Sequence, residues 1–257
     1  MHQAQAILAD PKLLKALQQL VHQAGEAIMQ VYQTADFGIE TKKDDSPVTK
    51  ADLDAHYLLV DGLAKLTPHI AIVSEEDPAS QIVPQTHNCY WLIDPLDGTK
   101  EFINRNGQFT VNLALIEDNA PSFGFVSTPI DQTLYWGGKQ LGAWRWRDDS
   151  IEPLQTQAHQ SPKRVVASKS HLNDATRDFI TNLGPTTLVQ AGSSLKLLRI
   201  AEGEADIYPR LAPTCEWDTA AAQAVLEGAG GKVTQVDGSP MQYGKVDILN
   251  PHFVASS

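Results

Sequence analysis

Trp91-Leu92-Ile93-Asp94-Pro95-Leu96-Asp97-Gly98-Thr99 is the stretch on which the fold turns. With Tyr90 in front of it, its first half is a short run of aromatic and aliphatic residues, the composition of a buried strand. Its second half sets two carboxylates three residues apart around a proline-fixed bend, so both can point to one side. Like charges that close are costly unless a cation sits between them. Gly98 leaves room for a ligand to approach the backbone, and Thr99 offers a hydroxyl beside the acids. Hard oxygen donors without His or Cys favour Mg²⁺ over zinc. The same letters also suit an ordinary turn, in which Pro and Gly take special dihedrals and Asp caps the backbone.

Working outward, residues 70–73 (Ile-Ala-Ile-Val) form a second short apolar run that also ends in acid, Ser74-Glu75-Glu76-Asp77. Taken alone, those acids read more readily as a solvated loop than as a site. Asp10-Pro11 opens the first expected helix, with Asp as N-cap and Pro at the first helical position. Leu13, Leu14, Leu17, Leu20, Val21, Ala24, Ile28 and Val31 then recur at helical spacing. Ser46-Pro47-Val48-Thr49 is expected to start the next helix, running through Ala55, Leu59 and Leu63 toward Pro68. Thr49-Lys50-Ala51-Asp52 has the spacing of a capping-box variant, which leaves Asp52 either structural or functional.

Downstream the period changes. Alternation over residues 110–116, then 124–126, 133–136 and 142–146, predicts antiparallel strands. The polar stretch 147–162 is the expected boundary between an N-terminal α+β lobe, 1–150, and a C-terminal α/β lobe, 151–257. In the second lobe strand and helix patterns alternate: strands near 165–167, 187–189 and 206–208, and helices from Asn173, from Ser194 to Glu202 and from Trp217 to Glu227. The last is closed by Gly228-Ala229-Gly230-Gly231 and brings in a further acid, Asp218, which the helix dipole alone would favour there.

The chain has 257 residues, 42% of them hydrophobic and 20% charged, as expected of a globular protein. Its 20 basic against 31 acidic residues give a formal net charge of −11, which argues against a duplex-coating nucleic-acid binder. Phosphates can still be bound through a cation or a local basic pocket. The two cysteines, Cys89 and Cys215, stand in unrelated contexts and offer neither a disulfide framework nor a zinc pattern. No signal-peptide pattern and no span-length apolar run is read, so a cytoplasmic location is expected.

In order and spacing, Ser74-Glu75-Glu76-Asp77, the stretch 91–99, and Trp217-Asp218-Thr219-Ala220-Ala221 with Gly230-Gly231 resemble the lithium-sensitive superfamily of inositol monophosphatases and fructose-1,6-bisphosphatases. The resemblance runs from Ala24-Gly25-Glu26-Ala27-Ile28-Met29 to Asn250-Pro251. Inside that superfamily the sequence is most similar to the CysQ-type 3'(2'),5'-bisphosphate nucleotidases. The marks are Gly98-Thr99-Lys100-Glu101-Phe102, where inositol monophosphatases usually carry Thr-Asn-Phe, together with residues 46–52, 192–196 and 205–210. Cys215-Glu216 departs from the expected pattern beside Asp218 and leaves that acid intact.

The resemblance implies a layered αβαβα sugar-phosphatase fold. It also implies Mg²⁺-dependent hydrolysis of adenosine 3',5'-bisphosphate to AMP and phosphate in sulfur assimilation, with the sulfated nucleotide as a further candidate substrate. Glu75, Asp94, Asp97, Asp218 and the carbonyl of Leu96 would hold two or three Mg²⁺ ions and, through them, the phosphate. Gly98 and Thr99 would present N–H groups to it, and Asp52 with Thr99 would take the proton from the attacking water. Glu76 would orient a ligand or water. His171, Ser193, Lys196 and Arg210 align with nucleotide-side positions, although His171 also suits a helix start and Arg210 a surface ion pair. A monomer without nucleic-acid partner or transmembrane segment is expected; association with the periphery of the inner membrane, described for some bacterial relatives, stays open. An inositol or sugar monophosphatase is the alternative among enzymes. A Mg²⁺- or nucleotide-binding regulator on the same fold is the alternative outside them, though binding alone would not require the Asp52–Thr99 pair.

Overall fold

The structure is a computed structural model and describes residues 2–42, 45–158, 161–167 and 173–257. Helices α1 (Gln3–Ala9) and α2 (Pro11–Tyr32) come first. The Asp10 carboxylate accepts from the N–H groups of Lys12 and Leu13, so the expected cap opens α2. Helix α1, which has no side-chain cap, was not signalled. Strands β1 (Glu40–Thr41) and β2 (Pro47–Val48) form a small antiparallel ribbon, and α3 (Lys50–Leu66) follows. Pro47 and Val48 are therefore extended rather than helical. β-branched Val48 and Thr49 favour that state, and Thr49 becomes the cap with φ −120° and ψ 168°.

Seven strands build the first sheet in sequence order: β3 (Ala71–Ser74), β4 (Cys89–Asp97), β5 (Thr110–Glu117), β6 (Ala120–Thr128), β7 (Thr133–Gly138), β8 (Gly142–Arg147) and β9 (Ser150–Pro153). Only β3 and β4 pair in parallel; every later pair is antiparallel. A short helix, α4 (Thr99–Ile103), sits between β4 and β5. Strand β9 lies inside the polar stretch expected to be the boundary between lobes. It is an exposed edge without apolar alternation, and its local sign is the tight turn at Asp148-Asp149, both at positive φ.

The second sheet holds β10 (Lys163–Ala167), β11 (Thr186–Gln190), β12 (Ile207–Arg210), β13 (Lys232–Gln235) and β14 (Phe253–Ser256), in the order β11-β10-β12-β14-β13. Around it lie α5 (Asp174–Asn182), α6 (Leu195–Ala201) and α7 (Ala220–Gly228).

Alternation along the first sheet assigns its two faces. Trp91, Ile93, Leu113, Leu115, Phe123 and Phe125 pack with Leu17, Val21, Ile28, Leu59 and Leu63 of α2 and α3. Tyr90, Leu92, Ala114, Ile116 and Val126 face the other way, toward Leu198 of α6, Val225 of α7, and Val166 and Phe253 of the second sheet. With α5 against β12, the stack is αβαβα, as expected. Both faces of β4 are thus covered, which is why Tyr90-Trp91-Leu92-Ile93 reads as a continuous apolar run. No described helix is long and apolar enough to cross a membrane.

Candidate active site

The parallel pairing of β3 with β4 brings two acidic strand ends together, and the Glu75 N–H continues the ladder by donating to the Ile93 carbonyl at 3.1 Å. Register then breaks between Asp94 and Asp97. Pro95 cannot donate to a ladder and is tolerated at such a bulge. The break suspends the strand's alternation, so both carboxylates reach one place. The Leu96 N–H donates to Asp94 Oδ1 at 3.1 Å and fixes the bend.

Asp218 joins them from the turn before α7. The helix starts at Ala220, with Thr219 as its cap, so Asp218 precedes the helix rather than opening it. The Cys215 N–H donates to Asp218 Oδ2 at 2.8 Å, and the buried Glu216 carboxylate accepts from the Gly244 N–H, also at 2.8 Å. The unusual Cys215-Glu216 pair therefore supports the turn. One carboxylate oxygen from each of Asp94, Asp97 and Asp218 lies within 4.8 Å of the others.

At that separation, two like charges repel by roughly 3 kcal/mol even at an effective dielectric of ~20. Burial, then the charges of Glu75, Asp97 and Asp218, pushes the Asp94 carboxyl well above the usual range. Burial and Asp97 push Asp218 up to about 8. Burial raises Asp97 as well, against the pull of Lys196. Such a site holds either protons or a cation, and its all-carboxylate donor set fits a hard divalent ion.

A stability prediction follows from these directions. Carboxyls with raised values keep protons that the unfolded chain has released. Metal-free stability should therefore fall as pH rises from about 4, the ordinary carboxylate value, toward about 8. Melting temperatures of chelator-treated protein at pH 5, 6.5 and 8 check this. Asp218→Asn should flatten the slope, and an equal slope in variant and wild type would contradict the assignment.

Glu75 and Glu76 are held by a residue that the sequence reading missed. Lys42 Nζ lies 2.8 Å from Glu75 Oε1 and 2.6 Å from Glu76 Oε1. Burial pushes Glu75 up against the Lys42 charge, and burial with the Glu75 charge pushes Glu76 to about 7. In Thr41-Lys42-Lys43-Asp44-Asp45 a lysine looks like part of a solvated charge run, and only the ribbon of β1 and β2 turns it inward.

Asp52 divides its oxygens. Oδ2 accepts from the Thr49 N–H at 2.7 Å and the Thr49 hydroxyl at 2.6 Å, completing a capping box. Oδ1 accepts from the Thr99 hydroxyl at 3.0 Å. That hydroxyl also lies 3.3 Å from the Leu96 carbonyl. Burial raises the Asp52 carboxyl, and the Thr49 bonds oppose it. Gly98 has φ +95°, and a Cβ there would stand 3.1 Å from the Gln108 carbonyl oxygen, so the turn into α4 requires glycine.

Asp97, Gly98, Ser193, Lys196, Arg210 and Asp218 line one cleft of about 160 Å³. The Ser193 hydroxyl donates to Asp97 Oδ2 at 2.5 Å. Lys196 is buried, donates to the Ser193 carbonyl at 2.9 Å and lies over the Tyr208 ring. Arg210 Nη2 donates to the Pro213 carbonyl, while its buried Nε has no partner among the described residues. Among the described residues it forms no ion pair. His171 lies outside the described residues.

The family model for the inositol monophosphatase family matches residues 10–257, and the chain belongs to that family. The curated relatives narrow the likeness. The chain is 43% identical to the 3'(2'),5'-bisphosphate nucleotidase CysQ of Salmonella typhimurium over 244 residues, 94% of this chain and 98% of that protein. It is also 43% identical to the enzyme of the same name from Escherichia coli strain K12, over 95% of this chain and 99% of the other. Among solved structures, CysQ from Bacteroides thetaiotaomicron superposes with a TM-score of 0.83 at 36% identity, covering 96% of this chain and 97% of that one. The suhB protein of Bartonella henselae, at 21% identity and a TM-score of 0.79, shares the fold.

Proposed function

We propose that this chain is a Mg²⁺-dependent 3'(2'),5'-bisphosphate nucleotidase that converts adenosine 3',5'-bisphosphate to AMP and phosphate, with the sulfated nucleotide as a second substrate. The observation that carries the reading is the cleft in which Asp97 and Asp218 of the acid cluster and the cations Lys196 and Arg210 share walls. A substrate with two phosphates needs two anion subsites, and an acidic protein has to build the second one locally. The buried Nε of Arg210, unpartnered among the described residues, supports an anion there. The names of the 43%-identical relatives agree.

In this reading Asp94, Asp97, Asp218, Glu75 and the Leu96 carbonyl hold two or three Mg²⁺ ions. Bound there, the ions supply positive charge to the scissile phosphate and lower the pKa of a water beside it. The chain's own residues do the rest. Thr99 Oγ1, donating to Asp52 Oδ1, keeps its lone pairs for the water's proton and passes its own to Asp52. The raised Asp52 carboxyl is suited to receive it. The N–H groups of Gly98 and Thr99 hold phosphate oxygens. Glu76 acts through Lys42, which it shares with Glu75. Lys196, Ser193 and Arg210 bind the nucleotide end. The lobe 1–150 then carries most of the metal ligands and the lobe 151–257 the nucleotide side. The setting implied is a monomeric cytoplasmic enzyme of sulfur assimilation.

Arg210→Ala tests the specificity half of this reading. Losing a charge-assisted contact costs ~1.5–3 kcal/mol, so kcat/KM on the bisphosphate should fall roughly 10–100-fold. Activity on a small monophosphate should hardly move. Steady-state kinetics on both decide: equal losses would make Arg210 a structural residue, and no loss on either would favour an inositol or sugar phosphatase.

A further inference from the structure

Strand β5 carries Ala114 and Ile116 into the core between the sheets. By alternation Thr110 and Asn112 occupy the same face, and both are fully buried, at 0% and 1% exposure. Two polar side chains stand where the pattern calls for apolar ones, and buried polar groups persist when they are satisfied. Their partners are the turn before α6 and, through it, Asp97.

The hydrogen atoms in this cluster can be followed one by one. The Ser193 hydroxyl donates to Asp97 Oδ2 at 2.5 Å, and the Ser194 N–H donates to the same oxygen at 2.7 Å. Asn112 Nδ2 lies 3.5 Å from it, at the long limit. The Ser194 hydroxyl donates to Asn112 Oδ1 at 2.9 Å. Both serine protons are then committed, so the single proton of the Thr110 hydroxyl is shared between Ser193 Oγ at 2.6 Å and Ser194 Oγ at 2.8 Å. All of this converges on one oxygen. Among the described residues no hydrogen bond reaches Asp97 Oδ1.

Ser193 holds its place in the left-handed region, with φ +49°, an uncommon conformation for a residue with a side chain. From there its hydroxyl meets Asp97 while its carbonyl accepts from Lys196.

We propose that Thr110, Asn112 and Ser194 are positioning residues: they hold the Ser193 hydroxyl and the Ser194 N–H on Asp97 Oδ2, leave Oδ1 as its one cation-facing oxygen, and tie that choice to the Ser193–Lys196 wall of the cleft. The inference rests on Asp97 being a cation ligand. A carboxylate held this way cannot swing to chelate through both oxygens, and the cation's position becomes linked to the substrate-side turn. Disturbing the cluster should therefore weaken cation binding before any substrate is present, and raise KM for the bisphosphate as well.

The test is calorimetric titration of Mg²⁺ into the chelator-treated full chain without substrate, for Asp97→Asn, Thr110→Val, Thr110→Ser and Ser194→Ala, alongside kinetics. Thr110→Val keeps the volume and removes the hydroxyl. Neither change removes a bond to Asp97 itself: Ser194→Ala keeps the N–H on Oδ2 and loses the hydroxyl on Asn112 Oδ1, and Thr110→Val loses the partner of the serine hydroxyls. Loss of an outer partner of a metal ligand typically costs 10–100-fold in affinity, so these changes one bond further out should fall at the low end and weaken Mg²⁺ binding about tenfold. Thr110→Ser should return to within about threefold of wild type. If Asp97→Asn loses Mg²⁺ while Thr110→Val and Ser194→Ala keep wild-type affinity, Asp97 remains a ligand and the positioning role is overturned. If Asp97→Asn itself binds normally, the ligand assignment fails and the inference with it. A loss that Thr110→Ser does not rescue would point to general disruption and overturn it too. Should Thr110→Val not fold, the Ser194→Ala titration decides by the same criterion.

Discussion

Replacing Asp94 by Asn should lower kcat/KM on the bisphosphate by at least ~10³-fold, about 4 kcal/mol of transition-state stabilisation. The fold should survive. Asp94 is 1% exposed and its Oδ1 accepts from the Leu96 N–H, a bond that an asparagine oxygen can replace. What changes is charge. Asp94 faces Glu75, Asp97 and Asp218, so the metal-free variant loses a like-charge repulsion and should melt no lower than wild type. Mg²⁺ should then stabilise the variant much less than it stabilises the parent. A melting scan with and without Mg²⁺ separates the effects. Near wild-type turnover in Mg²⁺ would remove Asp94 from the ligand set, and a collapse of the metal-free melting temperature would make it structural.

Thr99→Ala should reduce kcat by ~10²-fold or more, the usual scale for a positioned proton acceptor. Mg²⁺ affinity should stay near wild type. The side chain lost is small, and its structural bonds are those to Asp52 Oδ1 and the Leu96 carbonyl. Thr99→Ser keeps the hydroxyl and should keep most of the rate. Asp52→Asn should differ from Thr99→Ala in one respect. Asp52 Oδ2 also closes the capping box on α3, so that variant should lose both rate and up to about 1 kcal/mol of stability. Weakened Mg²⁺ binding with kcat intact at saturation would mark Thr99 as a support of the metal site instead.

The Asp52 geometry also explains why sequence reasoning left that residue open. Capping and proton acceptance look like rival explanations of Thr49-Lys50-Ala51-Asp52, yet the carboxylate gives one oxygen to each. Asp94 and Asp97 were legible because their pairing is local: two acids, a proline and a glycine within five residues. Strands β5 to β8 of the first sheet were legible for the same reason, since alternation is written along each of them.

The parts that escaped depend on remote contacts. Lys42 carries no sign of its partners Glu75 and Glu76, because the chain returns to them only through the β1–β2 ribbon. Thr110 and Asn112 look like ordinary strand polarity until Ser193 and Ser194 close on them from the other sheet's side of the molecule. Strands β13 and β14 are four residues each, too short to show a period. The helix expected from 46–49 through Ala55, Leu59 and Leu63 forms but starts later, at Lys50, because a proline that suits a helix start equally suits an extended ribbon edge.

Phosphate release from a panel of substrates, with and without Mg²⁺, tests the central claim most directly. Adenosine 3',5'-bisphosphate, inositol 1-phosphate and fructose 1,6-bisphosphate are the informative members. The account predicts rapid Mg²⁺-dependent release from the nucleotide, little from the other two, and none from any of them in chelator. A preference for inositol 1-phosphate, or release from the nucleotide that persists in chelator, would contradict it.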